Sequence, residues 1–239
     1  MTDPAPVQFL RVPLLDGAWF VFAKGWLDRP TADDFFARVR DETPWETREV
    51  ILAGKRVLQP RQVAWMSDPA WLVYRYSGAD NHGTPLAPAV RDLQALLYAR
   101  AGLITEHASP IYNSVFLNLY RDEKDSIGFH ADDEPCFAPE SPIASVSLGA
   151  SRRFKIQHQA TRKTTELRLD HGDLLVMGGT FQTRYLHAIP KEGHRCGSRV
   201  NLTFRHFASG PWWQRGHSWL RSAVMPLEIV TAPADLPSG

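Results

Sequence analysis

The sequence is short of cysteine, of long apolar runs and of net charge, and each shortage excludes something. Cys136 and Cys196 are the two cysteines in 239 residues. They cannot build a disulfide framework, and neither belongs to a C-x-x-C pair. Two free thiols in a reducing cytoplasm are expected. No run of about 18 apolar residues occurs, so no membrane span is expected. The opening MTDPAPVQFLRVPLL lacks a basic segment leading into an apolar one, and no secretion signal is expected. With a net charge of +1, the chain is no polycation. Any affinity for nucleic acid must come from local basic patches. Repeats and low-complexity blocks are missing as well.

What is present suits a globular protein with a sizeable core, 44% hydrophobic and 22% charged. Residues 1–30 are mixed and punctuated by Pro and Gly. TADDFFARVRDE reads as a helix capped by Thr31, with Asp33 and Asp34 in its first turn. LAPAVRDLQALLYARAG reads as a second helix, with Val90, Leu93, Leu96 and Leu97 at helical spacing and Gly102 ending it. After residue 110 the pattern changes to short strands: NSVFLNLYR, IASVSLGAS, RRFKIQH, TTELRLDHGDLLVMGG and SRVNLTFRHF. Helices first and an all-β core afterwards suggest a sandwich, jelly roll or barrel. The tail from 208 to 239 carries Trp212, Trp213 and Trp219, expected to pack on the core, before a Pro-rich end expected to fray.

The stretch GFHADDEP crowds Asp132, Asp133 and Glu134 beside His130. Like charges this close repel, and a cation is the simplest offset. In extended backbone His130 and Asp132 point the same way. A third ligand must come from a distant strand, and His187 in RYLHAIPK is the candidate. Two His and one carboxylate form the facial triad of non-haem Fe(II) oxygenases, which leaves coordination positions open. Taken alone, an H-x-D pair is more often incidental surface.

SRVNLTFRHF shifts that balance. Arg199, Asn201, Thr203 and Arg205 share one strand face; Val200, Leu202 and Phe204 share the other. If both faces are buried, two guanidinium groups enter the interior, at high cost unless carboxylates meet them. No equally patterned acidic strand is available, and a bound dicarboxylate would serve. An edge strand with its arginines in water is the bland alternative. In NSVFLNLYR, Asn118 and Tyr120 share a face and can hydrogen-bond an organic acid, with Leu117 and Leu119 opposite.

Together these pieces resemble the AlkB family of Fe(II)- and 2-oxoglutarate-dependent dioxygenases, in its eukaryotic-type nucleic-acid demethylase branch. The matching stretches are NSVFLNLYRDEKDSIGFHADDEP, SPIASVSLGASRRF, LDHGDLLVMGG, LHAIPKEGHR and SRVNLTFR, in family order from about residue 60 to 207. The resemblance implies a mainly β, α+β fold: a double-stranded β-helix (jelly roll) core at about 110–207 with flanking helices. A nucleotide-recognition lid is expected at about 48–80, all within one domain over 1–207. It implies His130, Asp132 and His187 as iron ligands. Arg205 corresponds to the arginine that pairs with the distal carboxylate of 2-oxoglutarate, and Arg199, Asn201, Asn118 and Tyr120 to its other contacts. Asp133 matches the acidic residue near the damaged base, and Glu134 completes D-D-E, with a structural role as its alternative. Tyr74, Tyr76 and Ser77 fall where the lid meets substrate, and Arg61 is expected at a phosphate. The tyrosines can instead fill a hairpin core.

The implied reaction is oxidative demethylation of N-alkylated bases such as 1-methyladenine and 3-methylcytosine in DNA. It uses Fe(II), 2-oxoglutarate and O2 and releases succinate and formaldehyde. These bases are cationic, so a carboxylate beside them selects against the neutral, undamaged base. An aromatic stacked on an extruded base is worth about 1–3 kcal/mol. Further basic residues, Arg152, Arg153, Lys155, Arg162, Lys163, Lys191 and Arg195, are candidates for phosphate contacts. Where duplex specialists insert a wedge, VILAGKRVL offers Leu52 and Ala53, and Ala53 is a poor wedge. Single-stranded DNA is therefore favoured over duplex, and a monomer is expected. Action on RNA or protein, a non-catalytic nucleic-acid-binding module, and a Zn²⁺ hydrolase using the same three ligands are the rivals. The last has no use for Arg199 and Arg205.

Overall fold

The computed structural model describes residues 7–52, 55–68, 73–76, 79–100, 112–138 and 141–208, with backbone alone for 50–52, 73–76 and 79–82. In chain order the elements are β1 (Leu10–Pro13), β2 (Ala18–Ala23), α1 (Arg29–Glu42), β3 (Glu49–Leu52), β4 (Lys55–Leu58), β5 (Gln62–Ser67), β6 (Val73–Tyr76) and β7 (Ala79–His82). They continue as α2 (Pro88–Ala99), β8 (Ser114–Tyr120), β9 (Ile127–His130), β10 (Ile143–Gly149), β11 (Arg152–His158), β12 (Thr164–Leu169) and β13 (Leu174–Gly179). The last are α3 (Phe181–Arg184), β14 (Tyr185–Ile189) and β15 (Arg199–Arg205).

Two antiparallel sheets face each other. One has seven strands in the order β1-β2-β13-β10-β15-β8-β5; the other has four, β12-β11-β14-β9. This is the expected jelly roll. Hairpins β3–β4 and β6–β7 stand apart as two-stranded sheets. The large sheet buries both faces. Its outer face, with Leu117, Leu119, Val146, Leu148, Val200, Leu202 and Phe204, packs on α1 and α2. Its inner face meets the small sheet through Phe20, Phe154, Ile156, Leu175 and Met177. In α2, Val90, Leu93 and Leu97 are completely buried, each worth about 1.5–3 kcal/mol of apolar burial. Leu96 packs at the edge of the same cluster.

Several expectations need correction. The β core does not wait for the helices. β2 precedes α1 and inserts beside β13, register Leu175↔Phe22 and Val176↔Val21. Its sequence AWFVFA hides the strand because both faces are apolar, so alternation is lost. Helix α1 starts earlier than TADDFFARVRDE suggests. Asp28 is its cap and accepts from the Thr31 amide at 2.9 Å, while Pro30 fits the first turn. Thr31 is inside the helix, and Asp33 and Asp34 lie past its first turn. TTELRLDHGDLLVMGG is two strands, β12 and β13, separated by the DHGD turn, with Gly172 at φ +85° and a Cβ there 2.5 Å from the Leu27 carbonyl. Gly102, Ala53, Ser77 and the tryptophans of the tail lie outside the described residues.

Candidate active site

Strands β9 and β14 set two imidazoles side by side. His130 and His187 are direct cross-strand partners, with ring centroids 4.2 Å apart. Opposed residues on one face of an antiparallel pair point together. The register shifts between His187 and Ile189, because Ile127 to His130 spans three steps against two. Such a bulge re-aims the side chain beside it. His130 Nδ1 lies 2.9 Å from the Gly128 carbonyl, which selects the tautomer with a hydrogen on Nδ1 and a lone pair on Nε2. Phe154 stacks on His187 at 5.5 Å.

Asp132 sits two residues past the end of β9, outside regular structure. Its carboxylate accepts from Arg205 Nη2 at 2.5 Å on Oδ1, and Oδ2 stands 3.9 Å from His187 Nε2. One donor atom each from His130, Asp132 and His187 falls within 4.8 Å of the others.

The electrostatics suit a metal. Burial, then the neighbouring His130, pushes His187 down to about 3. Burial lowers His130 as well. Burial alone would raise Asp132, but Arg205, His187 and His130 outweigh it and hold the carboxyl down at about 2. At neutral pH the site therefore offers two uncharged imidazoles and one carboxylate, the protonation states a divalent metal requires.

Below the triad, the inner face of β15 and its neighbours make a polar cup. β15 pairs with β8 in the register Arg199↔Tyr120, Asn201↔Asn118, and with β10 as Asn201↔Ser147, Thr203↔Ser145. Every residue of β15 is buried, on both faces. The strand therefore satisfies the reading in which the arginines point inward, not the edge-strand alternative. Arg199, 1% exposed, donates from Nη2 to Ser147 Oγ at 2.9 Å and lies over the Tyr120 ring at 5.3 Å. Its Nε and Nη1 are buried without a hydrogen-bond partner. Burial pulls this guanidinium down to about 10. Asn201 donates to Ser145 Oγ at 2.8 Å, and Thr203 to Asn201 Oδ1 at 3.1 Å. A buried cation with two unmet donors fits an organic carboxylate entering the cup.

The remaining expected residues are placed as follows. Arg205, expected on the distal carboxylate, donates from Nη2 to Asp132 Oδ1 and lies near Phe137 at 5.0 Å and Phe116 at 5.8 Å. Arg61, expected at a phosphate, is 4% exposed and donates from Nε to Asn118 Oδ1 at 2.6 Å, inside the cup wall. Arg152 is fully buried. It donates to the carbonyls of Asp122 at 3.2 Å, Asp125 at 2.6 Å and Pro190 at 2.8 Å, so it is a fastener and no phosphate contact. Arg153 is taken by Glu192 at 3.0 Å and Lys155 by Glu166 at 3.8 Å. Arg162, Lys163, Lys191 and Arg195 are exposed.

A second cavity of about 340 Å³ shares Asp132 and Arg205 with the cup and is also lined by Asp133, Glu134, Phe137, Met177 and Gln182. Asp133 is exposed and Glu134 half-buried. The Glu134 carbonyl accepts from the Phe137 amide at 3.0 Å, closing the turn after the ligand loop. Tyr74 and Tyr76 pair with Asn81 and Ala79 in the β6–β7 hairpin, and their side chains lie outside the described residues.

Sequence reasoning missed Ser145 and Ser147, although IASVSLG carries their alternation plainly. It also missed Gln182, whose Oε1 accepts from the Asp132 amide at 3.0 Å; nothing in FQTR announces that contact.

A family model described as "2OG-Fe(II) oxygenase superfamily" matches residues 20–205. "Alpha-ketoglutarate-dependent dioxygenase alkB homolog 3" of Rattus norvegicus is 34% identical over 212 residues, covering 85% of this chain and 68% of that protein. The protein of the same name from Homo sapiens is 35% identical over 205 residues, covering 82% and 67%. "DNA oxidative demethylase ALKBH2" of Mus musculus is 36% identical over 185 residues, covering 73% and 74%. Among solved structures, "The structure of OsALKBH1" superposes with a TM-score of 0.53 at 20% identity, over 78% of this chain and 97% of that one. That likeness concerns the fold alone.

Proposed function

Because this chain belongs to the AlkB family within the 2OG-Fe(II) oxygenase superfamily, we propose that it demethylates 1-methyladenine- and 3-methylcytosine-type bases in DNA, with single strands preferred. It is a 2-oxoglutarate-dependent dioxygenase that uses Fe(II) and O2. Oxidative demethylation of alkylated nucleic acid is the activity its relatives' names support. The lesion, the strand state and the residue roles are our reading.

In that reading His130, Asp132 and His187 hold the iron. Arg199 meets the distal carboxylate of 2-oxoglutarate with its unmet Nε and Nη1, and Tyr120, Asn118 and Asn201 line the same cup. Arg205 orients Asp132. Bound iron, with 2-oxoglutarate and O2, supplies the oxidation of the N-methyl group, giving succinate, carbon dioxide and formaldehyde. The chain's own share is position and charge.

The cavity beside Asp132 is the site for the base. Its volume of about 340 Å³ lies in the ordinary range for small-ligand sites. Asp133 faces it, and its carboxylate attracts the cationic alkylated base more than the neutral normal one. Single strands spare the cost of extruding a base from a duplex.

The observation that carries this reading is the triad of donors within 4.8 Å, with Asp132 and His187 buried and His130 half-buried, set above a buried guanidinium with two unmet nitrogens. The test is succinate and formaldehyde release with oligonucleotides bearing one methylated base, as single-stranded DNA, duplex DNA and RNA. Matched amounts of both products, fastest on single-stranded DNA, are expected. Faster turnover of RNA overturns the DNA assignment, and absence of 2-oxoglutarate dependence overturns the whole reading.

A further inference from the structure

Two of the three triad residues sit on strands, and Asp132 does not. It lies beyond the end of β9, in a segment without regular backbone pairing. A ligand on such a segment must be held by side chains. Arg205 holds the Asp132 carboxylate. Its backbone amide is held by the side chain of Gln182, Oε1 to N, at 3.0 Å. The other end of that side-chain amide, Nε2, reaches only Met177 Sδ at 3.9 Å, so the acceptor oxygen makes the strong contact.

Gln182 is placed on a firm support. It belongs to α3, one turn between β13 and β14. Its neighbour Phe181 is completely buried, stacks on Tyr185 at 5.6 Å and has its ring centroid 6.3 Å from that of His187. The Thr180 carbonyl accepts from the amides of Thr183 at 3.1 Å and Arg184 at 2.9 Å, which fixes the turn. The same four residues therefore touch two members of the triad: Phe181 faces the His187 ring, and Gln182 grips the Asp132 main chain. β14 then delivers His187 five residues after Gln182. A shift of α3 would move Asp132 relative to His187.

We infer that Gln182 is a positioning residue for the metal centre, fixing the Asp132 loop in register with His187 through the Oε1 contact to the Asp132 amide. This rests on the assignment of His130, Asp132 and His187 as metal ligands. Partners outside the ligand set typically change metal affinity by about 10–100-fold.

The test is Mn²⁺ binding to the full metal-free chain, by calorimetry and by loss of the free-ion electron paramagnetic signal, beside the thermal melt of the metal-free protein. Gln182→Leu keeps the shape and removes the acceptor. It is expected to weaken Mn²⁺ binding about tenfold while the metal-free melt falls by no more than about 2–4 °C, as fits a half-buried side chain losing one such bond. Gln182→Glu keeps an oxygen at the same reach and is expected to restore binding to within about threefold of wild type, since a charged acceptor bonds an amide at least as well. Wild-type affinity in Gln182→Leu overturns the inference. So does a fall in affinity matched by a collapsed metal-free melt, or equal loss in the Leu and Glu variants. Asp132→Ala serves as the reference: if it binds Mn²⁺ like wild type, the ligand assignment fails, and the Gln182 measurement is then read as failing with it.

Discussion

Arg199 carries a full charge into a place where the protein offers it the Ser147 hydroxyl and the side chain of Tyr120, but no carboxylate within hydrogen-bond reach. Burial of that kind costs stability until an anion arrives. Arg199→Met should therefore separate folding from function. The metal-free variant is expected to be as stable as wild type or more so, by up to about 3 kcal/mol in urea denaturation. Its 2-oxoglutarate requirement for succinate formation should rise at least about tenfold, as expected when a charged hydrogen-bonding partner is removed. Mn²⁺ affinity should not change. A variant that loses stability and keeps its co-substrate affinity would return Arg199 to a structural role. The buried histidines predict a pH dependence as well. His187 is held neutral, down at about 3, against an ordinary value of 6.5. Between those values the unfolded chain binds a proton that the folded chain refuses, so stability rises with pH across that window. The metal-free protein should lose stability as pH drops from 7 to 5, at up to about 1.4 kcal/mol per pH unit for each such group. His187→Phe should flatten the slope, and melts across that range check it. Asp132 works in a lower window: held at about 2, it contributes stability above its ordinary 3.8 that is lost as pH falls toward 2.

Elements differ in how openly the sequence declares them. β15 alternates polar and apolar residues, and β8 nearly does, because one face lines the cup and the other packs on helices, and both were legible to within two residues at their ends. β2 was not, since apolar side chains cover both its faces. The bulge that turns His130 inward was hidden too; Gly128 and Phe129 carry no sign of an extra residue in β9. Arg152 in RRFKIQH read as a candidate phosphate contact. One-dimensional alternation places it on the inner face with Phe154 and Ile156, but a buried arginine is credible only once its acceptors are known. Those acceptors belong to two loops. The Asp122 and Asp125 carbonyls precede β9, the Pro190 carbonyl follows β14, and Glu192 stands 3.7 Å from Nε. Arg152 thus ties the far ends of both histidine-bearing strands. Arg152→Ala is expected to cost about 3–5 kcal/mol in denaturant unfolding, the range for breaking a buried pair. Glu192→Gln should cost less, because three carbonyl bonds to Arg152 survive. Equal, small losses from both would show that the loops hold without this fastener.

At the scale of the whole molecule the difficulty is charge. A net +1 gives little general attraction to a polyanion, so the phosphate contacts must be few and local. The β11–β12 turn is where exposed cations meet the active-site rim. His158 at the end of β11 pairs with Tyr185, the first residue of β14. The next residue, Gln159, donates its amide to the Arg184 carbonyl at 2.9 Å and its side chain to the Thr183 carbonyl at 3.2 Å. Thr183 lines the cavity beside Asp132. Arg162 and Lys163, both exposed, lie three and four residues further on, so the turn is tethered to the rim of the cavity in which we seat the base. Lys191 and Arg195 follow the opposite end of β14, beyond the Arg152 fastener, and among the described residues line neither cavity. Exchanging Arg162 and Lys163 together for glutamines should therefore weaken binding of a methylated single-stranded oligonucleotide. The slope of log K against log salt should shrink by about 1.4, or about 0.7 for each phosphate no longer neutralised. Turnover at saturating oligonucleotide should stay near wild type, because neither residue reaches the iron or the co-substrate cup. The same exchange at Lys191 and Arg195 should leave the slope unchanged. A salt dependence that follows the second pair and not the first would put the nucleic acid on the other side of the small sheet, and the base could not then enter beside Asp133.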